Sequence, residues 1–361
     1  MLKVALIGCG KSADMHVGAI QRLACARLTG VCDVEPLMAR QLAARYEVSN
    51  CYSDVDTLIT SEKPDVLHIA TPPESHYRLA VAALEANCHV VIEKPVGMNA
   101  DEASRLIAEA EVRSRKLTIA YTYHLDPVAR MLRDLVGRGV MGDPVHLESY
   151  FGYNLKGPFG IPVLGDANHW VHKLPGKLFQ NILDHVVNKV TDFLTEPAPN
   201  VLVHSWQSAD NGTPRLGRDL PDELRVMMFG KKSSAYLTVS SHARPIRHSL
   251  LFRGTKNTAL LDFNSSTIRL ERDSILPGVL GRLSSPFSEG WQCFREGTRN
   301  VLRFVRSDYH FFSGFNYLVS KFYESIVKDL PVPISYKDIL RNALILDQIV
   351  EQLHCATGRT S

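Results

Sequence analysis

Up to about residue 123, short apolar runs alternate with segments of helical periodicity. Lys3 to Ile7 is apolar and stops at Gly8, and a helical pattern then runs to about Leu23. Arg27 to Cys32 is a second run, closed by Asp33; Pro36 to Tyr46 reads as a helix, with proline in its first turn. Asp65 to Ala70, His89 to Ile92 and Leu117 to Tyr121 are further runs, separated by helical patterns over His76 to Asn87 and Asn99 to about Arg115. Buried runs alternating with helices predict a parallel sheet covered on both faces.

The texture changes after Asp126-Pro127. A helix from Pro127 to Arg138 leads to an extended stretch, Val145 to Tyr153, and a Gly/Pro-rich loop spans Gly157 to Gly176. Leu178 to Leu194 reads as one strong helix. Six strands follow between Val201 and Leu270, joined by short polar turns such as Gly254-Thr255-Lys256-Asn257. Ser274 to His310 reads as less regular, and the end is helical again over Phe315–Lys328 and Tyr336–His354. The fold class expected is an α/β doubly wound N-terminal domain, residues 1–123, followed by an α+β domain, residues 124–361. The second domain carries a large, mainly antiparallel sheet, and the C-terminal helices have room to pack back on the first.

Composition narrows the picture. At 361 residues, 45% hydrophobic and 22% charged, the chain is an ordinary globular sequence of two-domain size. With 41 basic against 38 acidic residues it has no general field for nucleic acid, and none is expected as a partner. The seven cysteines form no CxxC pair and five lie in the first 90 residues, which suits reduced thiols in a cytoplasmic protein. The opening MLKVALIGCG is too short for a signal-peptide core, and no apolar run reaches membrane-spanning length.

Gly8-Cys9-Gly10-Lys11-Ser12-Ala13 has the form G-x-G-x-x-A, directly after a strand pattern and opening a helix. That is the context of the dinucleotide fingerprint. Gly8 serves the tight turn, Gly10 lets a pyrophosphate approach the backbone, and Ala13 lets helix and strand pack closely. Asp33, 20 residues after Ala13, suits a free ribose 2′-hydroxyl and repels a 2′-phosphate. NAD is therefore expected over NADP.

These residues resemble the Gfo/Idh/MocA oxidoreductases. Gly8 to His16 is similar to that family's G-x-G-x-x-A-x-x-H. Thr71-Pro72 through His76 to Glu93-Lys94-Pro95 is similar to its T-P-x-x-x-H…E-K-P. Tyr121-Thr122-Tyr123-His124 resembles the segment joining its two domains. Gly176 to Asn188 resembles its second signature, with the histidine kept at His185 but asparagines, Asn181 and Asn188, where the family has aspartates. The resemblance implies hydride exchange between nicotinamide and a secondary alcohol or ketone of a sugar, sugar derivative or cyclitol.

On that reading Lys94 steadies the developing alkoxide and His185 accepts the proton. Thr71, Pro72, His76, Glu93 and Lys94 join Gly8, Gly10, Lys11, Ser12, Ala13 and Asp33 at the cofactor. Tyr123, His124, Trp170, His172, Asn181 and His185 are the substrate candidates. Pro95 fixes the turn after Lys94 through a cis bond. As a helix, Leu178–Leu194 places Asn181, His185, Asn188 and Asp192 within about 60° of arc. Phe179, Ile182, Val186, Val190 and Phe193 lie on the opposite face. A solvated polar face is the plain alternative for that stripe.

His169-x-x-His172 has metal spacing without a carboxylate or cysteine partner, and no metal is expected. Trp291 to Arg306 mixes apolar positions with Arg295, Arg299, Arg303 and Arg306. It is expected to be a helix covering the second domain or a partner copy, rather than an interfacial helix on anionic lipid; membrane contact is not expected. A homo-oligomer is. The competing functions are a non-catalytic dinucleotide- and sugar-binding regulator, and a glycosidase assisted by bound NAD.

Overall fold

The computed structural model describes residues 1–158, 160–194, 196, 198–208, 220–274, 276–307 and 309–357, the last four of these as backbone only. The chain divides into two compact units. One is Met1–Thr122 with Gly314–Leu344, and the other runs from Tyr123 to Ser313 and resumes at Ile345.

In the first unit six strands form one parallel sheet: β1 (Leu2–Ile7), β2 (Ala26–Cys32), β3 (Asn50–Tyr52), β4 (Val66–Ile69), β5 (His89–Ile92) and β6 (Leu117–Ile119). Their order is β3-β2-β1-β4-β5-β6. Val4, Ala5, Leu6, Val66, Leu67, Val90 and Val91 are fully buried, as the unbroken apolar runs require of strands covered on both faces. The order reverses between β1 and β4, which opens a crevice at the carboxyl ends of these strands.

The sequence reading passed over β3 and the helix Val55–Glu62. β3 is a three-residue edge strand with no apolar run of its own. Asp54 caps the helix by accepting from the Thr57 backbone N–H at 2.8 Å. The helix Ser313–Val327 buries Phe315, Phe322 and Tyr323 in this unit. Lys116 Nζ donates to the carbonyls of Ser325 and Leu330.

The second unit is built on seven strands: β7 (Pro144–Gly152), β8 (Asn200–Trp206), β9 (Glu223–Phe229), β10 (Ser234–Ser240), β11 (His248–Gly254), β12 (Thr258–Asp262) and β13 (Thr267–Glu271). Their order is β13-β12-β11-β7-β10-β9-β8, antiparallel except for the central β7–β10 pair. One face carries the core, including Leu147, Leu224, Val226, Leu237, Val239 and Phe252.

Two expectations need correction here. Leu178–Leu194 is not one amphipathic helix. It is a helix Lys177–Ile182, a short turn Asp184–Val187 and a tightened turn Thr191–Phe193. Bonds such as Val190 N–H to the Val187 carbonyl draw the end of the run into i→i+3 geometry. Nor is its polar stripe a fully solvated face: Asn188 is buried, Asn181, His185 and Asp192 are half-buried, and Asp184 and Lys189 beside them are buried. The supposedly irregular segment after Ser274 holds a 28-residue helix, Gly278–Val305, that continues through Pro286. A proline and four glycines hid its period, since each lowers helix propensity without forbidding a helix already held by tertiary bonds.

Candidate active site

The cofactor cradle lies where β1 meets its helix. Gly8 has φ +92°, and a Cβ there would stand 2.5 Å from the Ala70 carbonyl oxygen. At Gly10 a Cβ would meet nothing within 4 Å. The first glycine is thus demanded by the fold, whereas the second keeps open the space over the loop into which a pyrophosphate fits. Ala13 is fully buried at the start of the helix Ala13–Gln21, while Lys11 is exposed and Ser12 half-buried beside it. Asp33 sits at the end of β2, its Oδ2 accepting from Cys9 N–H at 2.7 Å and its Oδ1 from Glu35 N–H at 2.9 Å. The carboxylate is therefore fixed beside the glycine loop, and these residues fit an adenosine ribose and a pyrophosphate.

The ends of β4 and β5 are tied together by His76. Its ring is buried, with Nδ1 2.7 Å from the Pro95 carbonyl and Nε2 2.8 Å from the Thr71 carbonyl. Burial draws its pKa down, against the pull of both carbonyls. Thr71 Oγ1 and Ser75 Oγ share a hydrogen bond of 2.6 Å, and Pro72 leads into the turn Pro73–Ser75. The Lys94–Pro95 peptide is cis, as expected from the sequence.

Glu93 is buried, and its Oε2 accepts from Lys94 N–H at 3.1 Å. Its Oε1 is 3.4 Å from His16 Nε2, His16 Nδ1 is 2.8 Å from His68 Nδ1, and His68 Nε2 is 3.0 Å from the Tyr323 hydroxyl. One proton arrangement satisfies the whole chain with neutral rings: Tyr323 O–H donates to His68, His68 to His16, and His16 to an ionised Glu93. Burial alone would raise the Glu93 carboxyl, but the His16 bond and the cationic neighbours leave it below the usual range. The chain fixes the carboxylate next to Lys94. His68 and Tyr323 were not singled out in the sequence. A histidine inside the apolar run Val66-Leu67-His68-Ile69 was the available signal.

In the second unit a ring cluster surrounds Tyr123. Its hydroxyl is 2.7 Å from His248 Nδ1, and His248 Nε2 is 3.0 Å from the Gly152 carbonyl. Phe151 lies between two imidazoles, with His248 stacked at 4.3 Å and His185 at 5.1 Å. His185 also meets Tyr123 edge-on at 5.4 Å. One helical turn beyond His185, the ammonium of Lys189 lies 4.8 Å from the Tyr123 ring and 4.9 Å from the Phe263 ring. It donates to the Tyr150 carbonyl at 3.2 Å. Burial lowers the Lys189 pKa to about 7, with Asp126 acting the other way. Burial raises Asp126 to about 6. Burial likewise brings His248 to about 4, helped by Lys189. Lys189, His248 and Phe151 are site-type residues that sequence reasoning missed, because no local spacing marks a contact between a helical turn and strand residues 34 to 63 positions away.

The remaining substrate candidates divide. His124 is held in a polar knot, its Nδ1 accepting from Arg133 Nη2 at 3.1 Å and Arg133 Nε bonded to Asp192 at 2.6 Å. His172 donates through Nε2 to the Val163 carbonyl at 2.7 Å. Trp170 is half-buried, with its ring 5.4 Å from His169. Asn181 is half-buried; Asn188 is buried, and neither polar atom of its amide finds a hydrogen-bond partner among the described residues. Among the described residues no group of three or more His, Cys, Asp or Glu gathers as a metal site.

The strand order, the glycine turn and the fixed carboxylate define a dinucleotide-binding α/β domain, joined to an open-sheet domain. Residues 2–121 match the family model for the Gfo/Idh/MocA oxidoreductase family, NAD-binding Rossmann fold. Over those residues, about a third of the chain, the first unit is similar to that family's NAD-binding Rossmann domain. The chain is 32% identical over 143 residues to D-glucoside 3-dehydrogenase of Escherichia coli, covering 39% of this chain and 41% of that protein. It is 24% identical over 143 residues to myo-inositol 2-dehydrogenase of Thermotoga maritima, covering 40% and 43%. The chain thus spans about two fifths of the length of these relatives. The WlbA dehydrogenase of Bordetella pertussis, solved with NADH and UDP-GlcNAcA, has the same fold, with a TM-score of 0.76 at 16% identity over 99% of this chain and 96% of that one.

Proposed function

We propose that this protein is an NAD-dependent dehydrogenase acting on a secondary alcohol, or the corresponding ketone, of a sugar, sugar derivative or cyclitol. The observation that carries the reading is the Glu93-Lys94-Pro95 turn. It follows β5 at the same edge of the parallel sheet as the glycine turn and Asp33, with Glu93 fixed by a buried histidine chain. The named activities of the two relatives support the substrate class. Asp33 supports NAD over NADP.

NAD, when bound, supplies the hydride acceptor. The chain's own work is to hold the substrate and manage its proton. An alcohol losing hydride must also lose its hydroxyl proton, and the developing oxyanion needs a cation. Lys94 provides the cation. Its backbone N–H is anchored on Glu93, which orients the residue without a flexible loop. His185 accepts the proton, its ring plane set by Phe151 and Tyr123. Asn181 and Asn188 supply no negative charge at the two positions where the family has aspartates. Gly8, Gly10, Lys11, Ser12, Ala13 and Asp33 hold the dinucleotide, and Thr71, Pro72 and His76 shape the loop beside it. Tyr123, His124, Trp170, His172 and Asn181 are assigned to the sugar side.

The other half of the assignment is an assembly of copies. The exposed Leu202, Trp206, Met227 and Phe229 on one face of the seven-stranded sheet support self-association. Sedimentation velocity tests this.

The decisive experiment supplies free NAD⁺ with a panel of polyols, sugars and sugar nucleotides and follows NADH absorbance. Steady NADH production that is lost in Lys94→Met supports the reading. Binding of NAD and sugar without turnover makes the protein a regulator, and glycoside cleavage without net NADH makes it an NAD-assisted glycosidase. A pH–rate profile unchanged by His185→Ala would remove His185 from the proton step.

A further inference from the structure

The long helix Gly278–Val305 is docked the wrong way round for a helix that completes a core. At 100° per residue, Leu280, Leu283, Phe287, Trp291, Phe294 and Val301 fall within about 80° of arc. Glu289, Gln292, Glu296, Asn300 and Arg303 fall within another arc of about 80°, centred diametrically opposite.

The polar arc is the one turned to the protein. Gln292 brackets Leu270 of β13, accepting from its N–H at 2.8 Å and donating to its carbonyl at 3.0 Å. Glu289 pairs with Arg269 at 3.3 Å, and Asn300 donates to the Ser265 carbonyl at 2.7 Å. Glu296 is buried and lies within reach of Arg295 and Arg299. Only Gly281 and Glu296 of the 28 residues are buried. The apolar arc faces outward, with Phe287 80%, Trp291 64% and Phe294 66% exposed. Phe311 and Phe312, just past the helix, are exposed too.

The exposed charges on the helix itself and its C-cap are of one sign. Arg282, Arg295, Arg299 and Arg306 are exposed, whereas Glu289 pairs with Arg269 of β13 and the buried Glu296 pairs with Arg295 and Arg299. Beside the helix, towards the helix Pro127–Gly137, a groove of about 710 Å³ is lined by Arg130, Arg138, Arg295, Arg299, Arg303 and Arg306. The carboxylates in that groove, Asp134 and Glu296, already pair with arginines of the chain.

We propose that this helix lies on an anionic phospholipid surface, with its outward apolar strip in the headgroup–acyl boundary and its arginines on lipid phosphates. A long helix with Trp, Phe and Leu on one side, arginine at its margins and low net hydrophobicity is the form suited to lying in a membrane interface. No described helix is long and apolar enough to cross a membrane.

A second copy of the chain fits less well. Two such strips face to face would bring the arginine rims together. A strip about 42 Å long and about 10 Å wide offers roughly 420 Å² per partner, about half of what a stable dimer uses. The expected helix covering the second domain is there, but it meets β13 through its polar side; the proposal replaces the expectation that membrane contact is absent.

The test is flotation of the full chain with phosphatidylcholine vesicles, alone or mixed with phosphatidylglycerol, for wild type, a Phe287→Asp/Phe294→Asp variant and an Arg295→Glu/Arg306→Glu variant. All four side chains are exposed; because Arg295 also pairs with the buried Glu296, circular dichroism and the melting temperature are recorded for each variant to show that it folds. The expected result is binding to the anionic vesicles that falls about tenfold or more in each variant and weakens as salt is raised. Absence of flotation with anionic vesicles overturns the proposal, as does binding that both variants retain. Equal binding to neutral vesicles overturns the assignment to anionic lipid. If the Phe variant instead dissolves a dimer of a protein that never floats, the strip is a contact between copies. Retained capture by an acidic protein partner without flotation would make it a protein-docking face. Either result refutes the membrane reading.

Discussion

Replacing Tyr323 with phenylalanine deletes one hydroxyl and leaves the ring in its buried site. The hydroxyl lies 3.0 Å from His68 Nε2, and both side chains have no measurable exposure. In the directional chain that ends on Glu93, Tyr323 is the donor and His68 Nε2 the acceptor. Without the hydroxyl that nitrogen is buried and unpaired, which costs about 1–3 kcal/mol. Urea unfolding of Tyr323→Phe, followed by far-UV circular dichroism, should show a loss in that range with no change in slope. The pH dependence supplies a second readout. Burial, and then the neighbouring His16, hold the His68 pKa well below the usual histidine value of 6.5. Below pH 6.5 the unfolded chain therefore binds a proton at this site that the folded chain does not, and stability falls as pH falls. For one such histidine the loss between pH 7.5 and 5.5 is about 1.4 kcal/mol. His68→Leu should be less stable than wild type at pH 7.5, but its further loss on going to pH 5.5 should be smaller by that amount. A Tyr323→Phe cost under about 0.5 kcal/mol, or identical pH slopes with and without His68, would refute the neutral directional chain.

Gly8→Ala should abolish NAD binding by isothermal calorimetry, because the added methyl group collides with the Ala70 carbonyl in a backbone of φ +92°. Asp33→Ser should lower NAD affinity about tenfold or more and narrow the preference over NADP, read as the ratio of the two dissociation constants. Lys189→Met tests the buried amine. The folded pKa of about 7 lies below the ordinary lysine value of 10.5, so the unfolded chain holds the extra proton between pH 7 and 10.5, and wild-type stability rises with pH there. The variant should lack that rise, worth about 1.4 kcal/mol per pH unit at most, in denaturation curves at pH 7.5 and 9.

Much of the first domain was legible because its signals are local. A strand buried on both faces is apolar almost throughout, so β1, β4 and β5 read directly from the chain despite Lys3 and His68. The Gly8 turn reads as well, since only glycine takes its conformation beside Ala70. Glu93-Lys94-Pro95 was legible as a motif, and its cis peptide was expected. β3 escaped because an edge strand of three residues buries too little to leave a pattern. The arrangement that fixes Glu93 escaped for a different reason: His16, His68 and Tyr323 lie on three elements as much as 307 residues apart.

The sequence by itself determined the strands buried on both faces, where the dinucleotide turn falls and which carboxylate and lysine flank it, because backbone conformation and two-sided burial constrain each residue where it stands. Tertiary structure alone decided that the polar stripe around His185 is buried at Asn188 and half-buried at Asn181, His185 and Asp192, that Phe151 stacks on two imidazoles, and that the helix Gly278–Val305 turns its polar side inward. Periodicity fixes which residues share a face. Which face meets the protein depends on what the neighbouring element offers, and the backbone and side chains of β13 offered hydrogen bonds to Gln292 and Glu289 rather than an apolar surface.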